Sequence, residues 1–240
     1  MHLEKLNLIK KSNKELKLLS GERLDDLQYN GLKLIQNENL YCFSSDSVLL
    51  ANFVKTKSTD TLVDLCSGSG VIGILSQAKN NNKKLIMIEK QQCLADMCKR
   101  SLELNNIKNA EVFCADILDS VKFVGNNKAD VVCCNPPYYL QSQKKLSGNN
   151  SVDIAKFEIE MNFETLCQSV CKILKFGGSF YFVNDAERIA EVLTTLKKYK
   201  LEPKRIEFVF PKINNASNVV LVKAVKYGKQ GAKVYAKLCN

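Results

Sequence analysis

The 240-residue sequence predicts an α/β fold: a mostly parallel seven-stranded sheet with helices on both faces, finished by a C-terminal antiparallel hairpin. Three observations predict it. Short runs rich in Val, Ile and Leu alternate with longer segments of helical period, the pattern of strands joined by crossover helices. A glycine-rich turn, Cys66-Ser67-Gly68-Ser69-Gly70-Val71-Ile72-Gly73, separates the first of these runs from its helix. Asp130 to Cys134 is a Val- and Cys-rich run of the kind buried on both faces, stopped abruptly by Asn135-Pro136-Pro137-Tyr138.

Taken in order, residues 1–20 mix Leu, Ile and Lys without a regular period and suggest a helix on the surface. Gly21 to Gln36 reads as a turn with a short strand or two. Ser45 or Asp46 is an N-cap candidate for the apolar helix Val48 to Val54, and capping is the reading preferred for Asp46 over a catalytic one. The strands of the main sheet are then Thr61–Leu65, Leu85–Ile88 ending in Glu89, Ala110–Cys114 followed by Asp116, and 130–134. Between them lie a helix from the glycine turn to about Ala78 and another from Gln91 to Asn105, with Leu94, Met97, Cys98, Ser101 and Leu102 inward. Gln141 to Ser151 is polar and reads as a mobile loop. Phe163 to Leu174 is a helix stopped by Lys175-Phe176-Gly177-Gly178. Ser179–Val183 is a strand, Ala186–Tyr199 a helix, and Arg205–Phe210 with Val219–Val225 the closing hairpin. Residues 1–58 are read as an extension packed on a main domain of residues 59–240.

The tip at 135–138 carries the chemistry. Neither proline donates a backbone hydrogen bond, and each biases its predecessor toward an extended conformation, so the tip is stiff. It stands at the carboxyl end of a buried strand, where open α/β sheets place ligands. The Asn135 side-chain oxygen and the Pro136 carbonyl can accept the two hydrogens of an NH2 group on a flat base-like or amide-like molecule. Pulling those hydrogens out of plane localises the nitrogen lone pair, so no base need remove a proton before attack. Tyr138 can stack on the ring, worth roughly 1–3 kcal/mol per base. The tip resembles motif IV of the amino-methyltransferases that use S-adenosylmethionine.

Composition narrows the alternatives. Lys and Arg number 35 against 25 Asp and Glu, a net charge of +10. The excess is concentrated in residues 223–240, which hold five lysines and no acid, and in the first twenty residues. An anionic partner fits this, as does solubility. Ten cysteines include no Cys-x2-Cys pair, and the one histidine is His2, which argues against a zinc site and excludes Cys-His or Ser-His catalysis. Most of these thiols fall in apolar patterns, the usage expected of a reducing cytoplasm. No run of 18 apolar residues is present, so a membrane partner is not expected.

Gly68-x-Gly70-x-x-Gly73 fits the dinucleotide fingerprint, with Glu89 about twenty residues on, and alone would admit an NAD reading. Asp64 at the strand end suits a cationic ligand, Asp116 closes the third strand, and the proline tip has no task in hydride transfer. Together these resemble motifs I to IV of the Rossmann-like class I methyltransferases dependent on S-adenosylmethionine. The resemblance implies that Asp64 and the backbone of Cys66, Ser67, Gly68, Ser69 and Gly70 line the methionine moiety. It implies that Glu89 takes the ribose hydroxyls, that Asp116 with Ile117 holds the adenine, and that Asn135 faces both cofactor and substrate.

Several further segments resemble the bacterial valine-tRNA adenine methyltransferases. They include Glu22-Arg23-Leu24-Asp25-Asp26-Leu27, Asn30 to Gln36, Phe43-Ser44-Ser45-Asp46 with Leu49-Leu50-Ala51, Glu89-Lys90-Gln91, Leu201 to Arg205, and the tail from Val222 to Lys233. Where relatives often read Ala-Arg-His-Glu, this chain has Ala155-Lys156-Phe157-Glu158. That resemblance implies methylation of the exocyclic amine of the adenine 3′ of the anticodon. Asn135, Pro136, Pro137 and Tyr138 would hold the base, and lysines at both ends and in the 141–156 loop would contact tRNA phosphates. It implies a monomer, with no metal. Release-factor glutamine methyltransferases share the tip, because a glutamine amide presents a similar NH2. A DNA adenine methyltransferase or a non-catalytic RNA-binding module are the other readings.

Overall fold

The computed structural model describes residues 17–137 and 161–238. Tyr138, the 141–156 loop with Lys156 and Phe157, and the expected helix over most of residues 1–20 lie outside the described residues. An antiparallel hairpin, β1 (Glu22–Asp26) and β2 (Lys33–Asn37), leads to helix α1 (Ser45–Phe53). Strands and helices then alternate: β3 (Thr61–Leu65), α2 (Val71–Asn80), β4 (Lys84–Glu89), α3 (Gln92–Leu104), β5 (Ala110–Cys114), the short α4 (Ser120–Val124) and β6 (Ala129–Cys134). After the undescribed segment come α5 (Phe163–Ile173), β7 (Leu174–Asp185), α6 (Ile189–Lys198), β8 (Leu201–Phe210), β9 (Val219–Lys226) and β10 (Lys233–Leu238).

The main sheet runs in the order β10-β8-β9-β7-β6-β3-β4-β5. Strands β3 to β7 are mutually parallel, and β9 runs antiparallel between β7 and β8, which gives the expected closing hairpin. The described sheet has eight strands rather than seven, because β10 adds parallel to β8. Its residues are almost all exposed, so no burial pattern separated it from a charged tail.

Both faces of the central strands are buried. Val131 and Cys133 point into one apolar cluster with Leu50, Ile74 and Leu75 of α1 and α2. Val132 and Cys134 point into another with Leu166 and Val170 of α5 and Leu196 of α6. Helix α3 turns Leu94 and Met97 toward Ile35 of β2, so the hairpin packs on α3. Fully buried side chains such as Leu62, Phe180 and Phe182 each contribute roughly 1.5–3 kcal/mol.

Three boundaries differ from expectation. Helix α5 does end at Ile173, but Lys175 to Gly178 continues into β7 instead of forming a separate stop. Strand β8 begins at Leu201, four residues before Arg205; a register shift between Pro203 and Arg205 accommodates the missing proline N–H. The N-cap of α1 is Ser44, and it makes no side-chain capping bond, because Ser45 and Asp46 already lie within the first helical turn.

Candidate active site

The site lies at the carboxyl ends of β3, β4 and β6. Beyond β3 the chain turns through Cys66, held at φ 55°, and Gly68 at φ 56° before Gly70 opens α2 at φ 101°. A Cβ on Gly70 would stand 2.7 Å from the Cys98 sulfur, so both its dihedral and its surroundings require glycine. A Cβ on Gly73 would meet the Met87 methyl at 2.7 Å; its absence lets α2 lie close on β3 and β4.

Glu89, at the end of β4, braces this loop. Its Oε2 accepts from the Gly68 N–H and its Oε1 from the Gln91 N–H, each at 2.8 Å. Burial pushes its pKa up, opposed by the N–H groups of Gln91, Gly68 and Lys90. With three N–H donors on its two oxygens, the carboxylate retains acceptor capacity for about one more donor.

A cavity of about 670 Å³, open to solvent, lies over these groups, lined by Cys66, Gly68, Glu89, Asp116, Ile117 and Asn135 among others. A smaller lobe of about 270 Å³ adjoins it, sharing Tyr41, Cys66, Gly68 and Asn135 and adding Phe43, Ser47, Ser67 and Ser69. Pro137 lines the larger lobe, whereas Pro136 is buried. Asp116 caps the turn Ile117–Asp119 by accepting from the Leu118 N–H at 3.0 Å, and pairs with Lys90 at 3.0 Å. Burial pulls the Asp116 pKa up, but the Leu118 N–H and Lys90 outweigh it and hold the carboxyl below its ordinary range.

Asp64 is placed differently from the residues around it. It is fully buried and lines neither lobe. Like Leu62, it points to the α2 side of the sheet, where its Oδ2 accepts from the Gly73 N–H at 2.9 Å and its Oδ1 from the Cys133 thiol at 3.5 Å. Asp64 therefore stands behind the glycine turn and ties the first turn of α2 to β3.

Burial pushes the Asp64 pKa up to about 7, the nearby charge of Glu89 adding to it, against the opposing bonds from Gly73 and Cys133. A carboxyl whose pKa is raised by folding binds protons more tightly in the native state. Its stabilising contribution is complete below the ordinary value of 3.8 and is lost as pH rises through about 7. Asp64→Asn is therefore expected to flatten the decline of stability between about pH 4 and 7, compared with wild type in denaturant melts. Parallel pH profiles for the two proteins would contradict the assignment.

Asn135 follows β6 directly. Its Nδ2 donates to Ser47 Oγ at 2.9 Å, while its Oδ1 is buried and has no hydrogen-bond partner among the described residues. A buried carbonyl oxygen without a donor is uncommon, and Asn135 lines both lobes. The structure thus gathers Cys66, Ser67, Gly68, Glu89, Asp116, Ile117, Asn135 and Pro137 around one cavity, with Asp64 and Gly70 behind it. It also brings in Tyr41, Ser47, Gln91 and Met161, which sequence reasoning did not single out. Ser47 sits in the Ser-rich entry to α1, where one serine looks like another until its partner across 88 residues is known.

Comparison with known proteins places these features. The family model described as the methyltransferase small domain matches residues 42–199, more than half of the chain. A tRNA1(Val) (adenine(37)-N6)-methyltransferase of Shewanella halifaxensis is 24% identical over 159 residues, 66% of this chain and 63% of that protein. A release factor glutamine methyltransferase of Mycoplasma mycoides is 23% identical over 186 residues, 78% of this chain and 60% of that protein. The chain thus spans about six-tenths of the length of these relatives. Among solved structures, M. jannaschii TYW2 in complex with AdoMet superposes with a TM-score of 0.59 at 16% identity, covering 88% of each chain. The match from the approach to α1 through the end of α6 takes in the glycine turn, Glu89, Asp116 and the Asn-Pro-Pro tip, and the chain belongs to the methyltransferase small domain family.

Proposed function

We propose that this protein transfers a methyl group from S-adenosylmethionine to the exocyclic amine of an adenine in tRNA, the adenine 3′ of the anticodon in a valine tRNA. The observation that carries the reading is the buried Oδ1 of Asn135, an acceptor without a donor among the described residues, on a residue that lines both lobes. An exocyclic NH2 supplies the missing N–H, and the Pro136 carbonyl takes the second hydrogen.

The surrounding residues fit the cofactor. Glu89 keeps acceptor capacity beside its three N–H donors for the ribose, and Ile117 with Leu94 offers an apolar bed for the adenine. The backbone of Cys66 to Gly70, with open space where Gly68 lacks a Cβ, allows close approach of the amino-acid part, while Asp64 holds that turn from behind. S-adenosylmethionine, when bound, supplies an electrophilic methyl on a sulfonium. The chain's own contribution is orientation: Asn135 and Pro136 fix the amine, Pro137 stiffens the tip, and Tyr138 stacks on the base. No side chain need act as a base, which agrees with the absence of histidine beyond His2. The base enters flipped from its loop, and the net charge of +10 suits a phosphate backbone.

A second reading has support of its own. A glutamine side chain presents the same NH2 to Asn135, and the Mycoplasma mycoides relative is named for that substrate. Methyl-labelled S-adenosylmethionine offered side by side with bulk tRNA, total protein and duplex DNA separates the two. The proposal expects label in tRNA; label confined to a release factor would retain the tip chemistry and overturn the RNA substrate.

A further inference from the structure

The Asn135 amide serves only while its side chain is held beside the cavity, and an amide without a partner can rotate about χ2. We infer that Ser47 is a positioning residue that holds this amide in place for the substrate amine. The inference rests on the reading of Asn135 as the amine-binding residue.

Ser47 is 3% exposed, in the first turn of α1, and its Oγ accepts from Asn135 Nδ2 at 2.9 Å. That bond uses the nitrogen end of the amide and leaves Oδ1 as the group without a partner.

Ser47 can do this only if α1 is fixed against the sheet, and a second buried polar residue fixes it. Gln36, fully buried at the end of β2, accepts at Oε1 from the Phe43 N–H at 3.1 Å. Its Nε2 donates to the Ile35 carbonyl at 3.0 Å and to Ser69 Oγ in the glycine turn. Hydrogen bonds thus run from Ser69 through Gln36 to Phe43, four residues before Ser47, and a separate bond joins Ser47 to Asn135. Residues ahead of the main sheet join its cofactor turn to its substrate tip. A one-sided loss, Ser47 without its hydroxyl, removes the orientation and leaves the glycine turn intact.

Three variants test this in the full chain, with S-adenosylmethionine and tRNA as substrates. Ser47→Ala is expected to lower kcat about 10²-fold, the scale of an ångström-level misplacement, with the dissociation constant for S-adenosylmethionine and the thermal midpoint near wild type. Ser47→Thr keeps the hydroxyl and is expected to restore kcat. Because Ser47 acts through Asn135, adding Ser47→Ala to Asn135→Ala is expected to slow the reaction no further. A wild-type kcat for Ser47→Ala beside an inactive Asn135→Ala would overturn the inference and leave the reading of Asn135 standing. A fully active Asn135→Ala would overturn both.

Discussion

Asn135→Ala is expected to lower kcat for methyl transfer by about 10³-fold while S-adenosylmethionine binds nearly as to wild type. The magnitude is that of removing one preorganised hydrogen-bonding group from a transition state. The substitution deletes an acceptor that has no partner among the described residues, which lose only the bond to Ser47. A typical hydrogen bond contributes about 0.5–1.5 kcal/mol, and Ser47 borders the smaller lobe, where water can replace the lost donor. Stability should therefore fall little and catalysis greatly. Asn135→Asp probes the same point, since it keeps an acceptor but places a charge against the bound amine. Single-turnover rates with saturating cofactor, beside calorimetric titration of the cofactor, check the prediction. Wild-type turnover in Asn135→Ala would remove the tip from the chemistry.

The second large effect is expected on binding. Glu89→Ala releases the N–H groups of Gly68 and Gln91 together with the acceptors proposed for the ribose. Glu89 is 6% exposed, so the released donors are poorly hydrated, and each leaves a penalty of about 1–3 kcal/mol. The glycine turn should loosen, cofactor affinity should fall at least about 10²-fold, and the thermal midpoint should drop as well. The combination distinguishes Glu89 from Asn135, whose loss is kinetic. An unchanged dissociation constant for S-adenosylmethionine in Glu89→Ala would contradict the role given to this carboxylate.

What the sequence disclosed follows from how each residue is held. Strands β3, β4 and β6 are buried on both faces, so their apolar runs stand out, and the glycine turn and the proline tip mark their ends. Strand β10 has the period of a strand, Lys-Val-Tyr-Ala-Lys-Leu, but lies at the sheet edge in solvent, where composition cannot separate it from a basic tail. Asp64 was legible as an acid at a strand end, yet which face it points to depends on the alternation set by Leu62 and Val63 within the folded sheet. Gln36 and Ser47 were the least legible. Each works through a distant partner, 33 and 88 residues away, and a polar residue in a hairpin or a helix entry carries no local sign of such a bond. The asymmetry is physical: burial leaves a periodic trace in the chain, whereas a single long-range hydrogen bond does not.

The measurement that tests the account most directly is the identity of the methylated atom. Wild-type protein is incubated with methyl-labelled S-adenosylmethionine and unmodified valine tRNA, and the RNA is digested to nucleosides and analysed. The account predicts label in N6-methyladenosine, mapped to the adenine 3′ of the anticodon. Label on a ring nitrogen, a carbon or a ribose hydroxyl would contradict it, because none of these presents the paired hydrogens that Asn135 and Pro136 are proposed to accept.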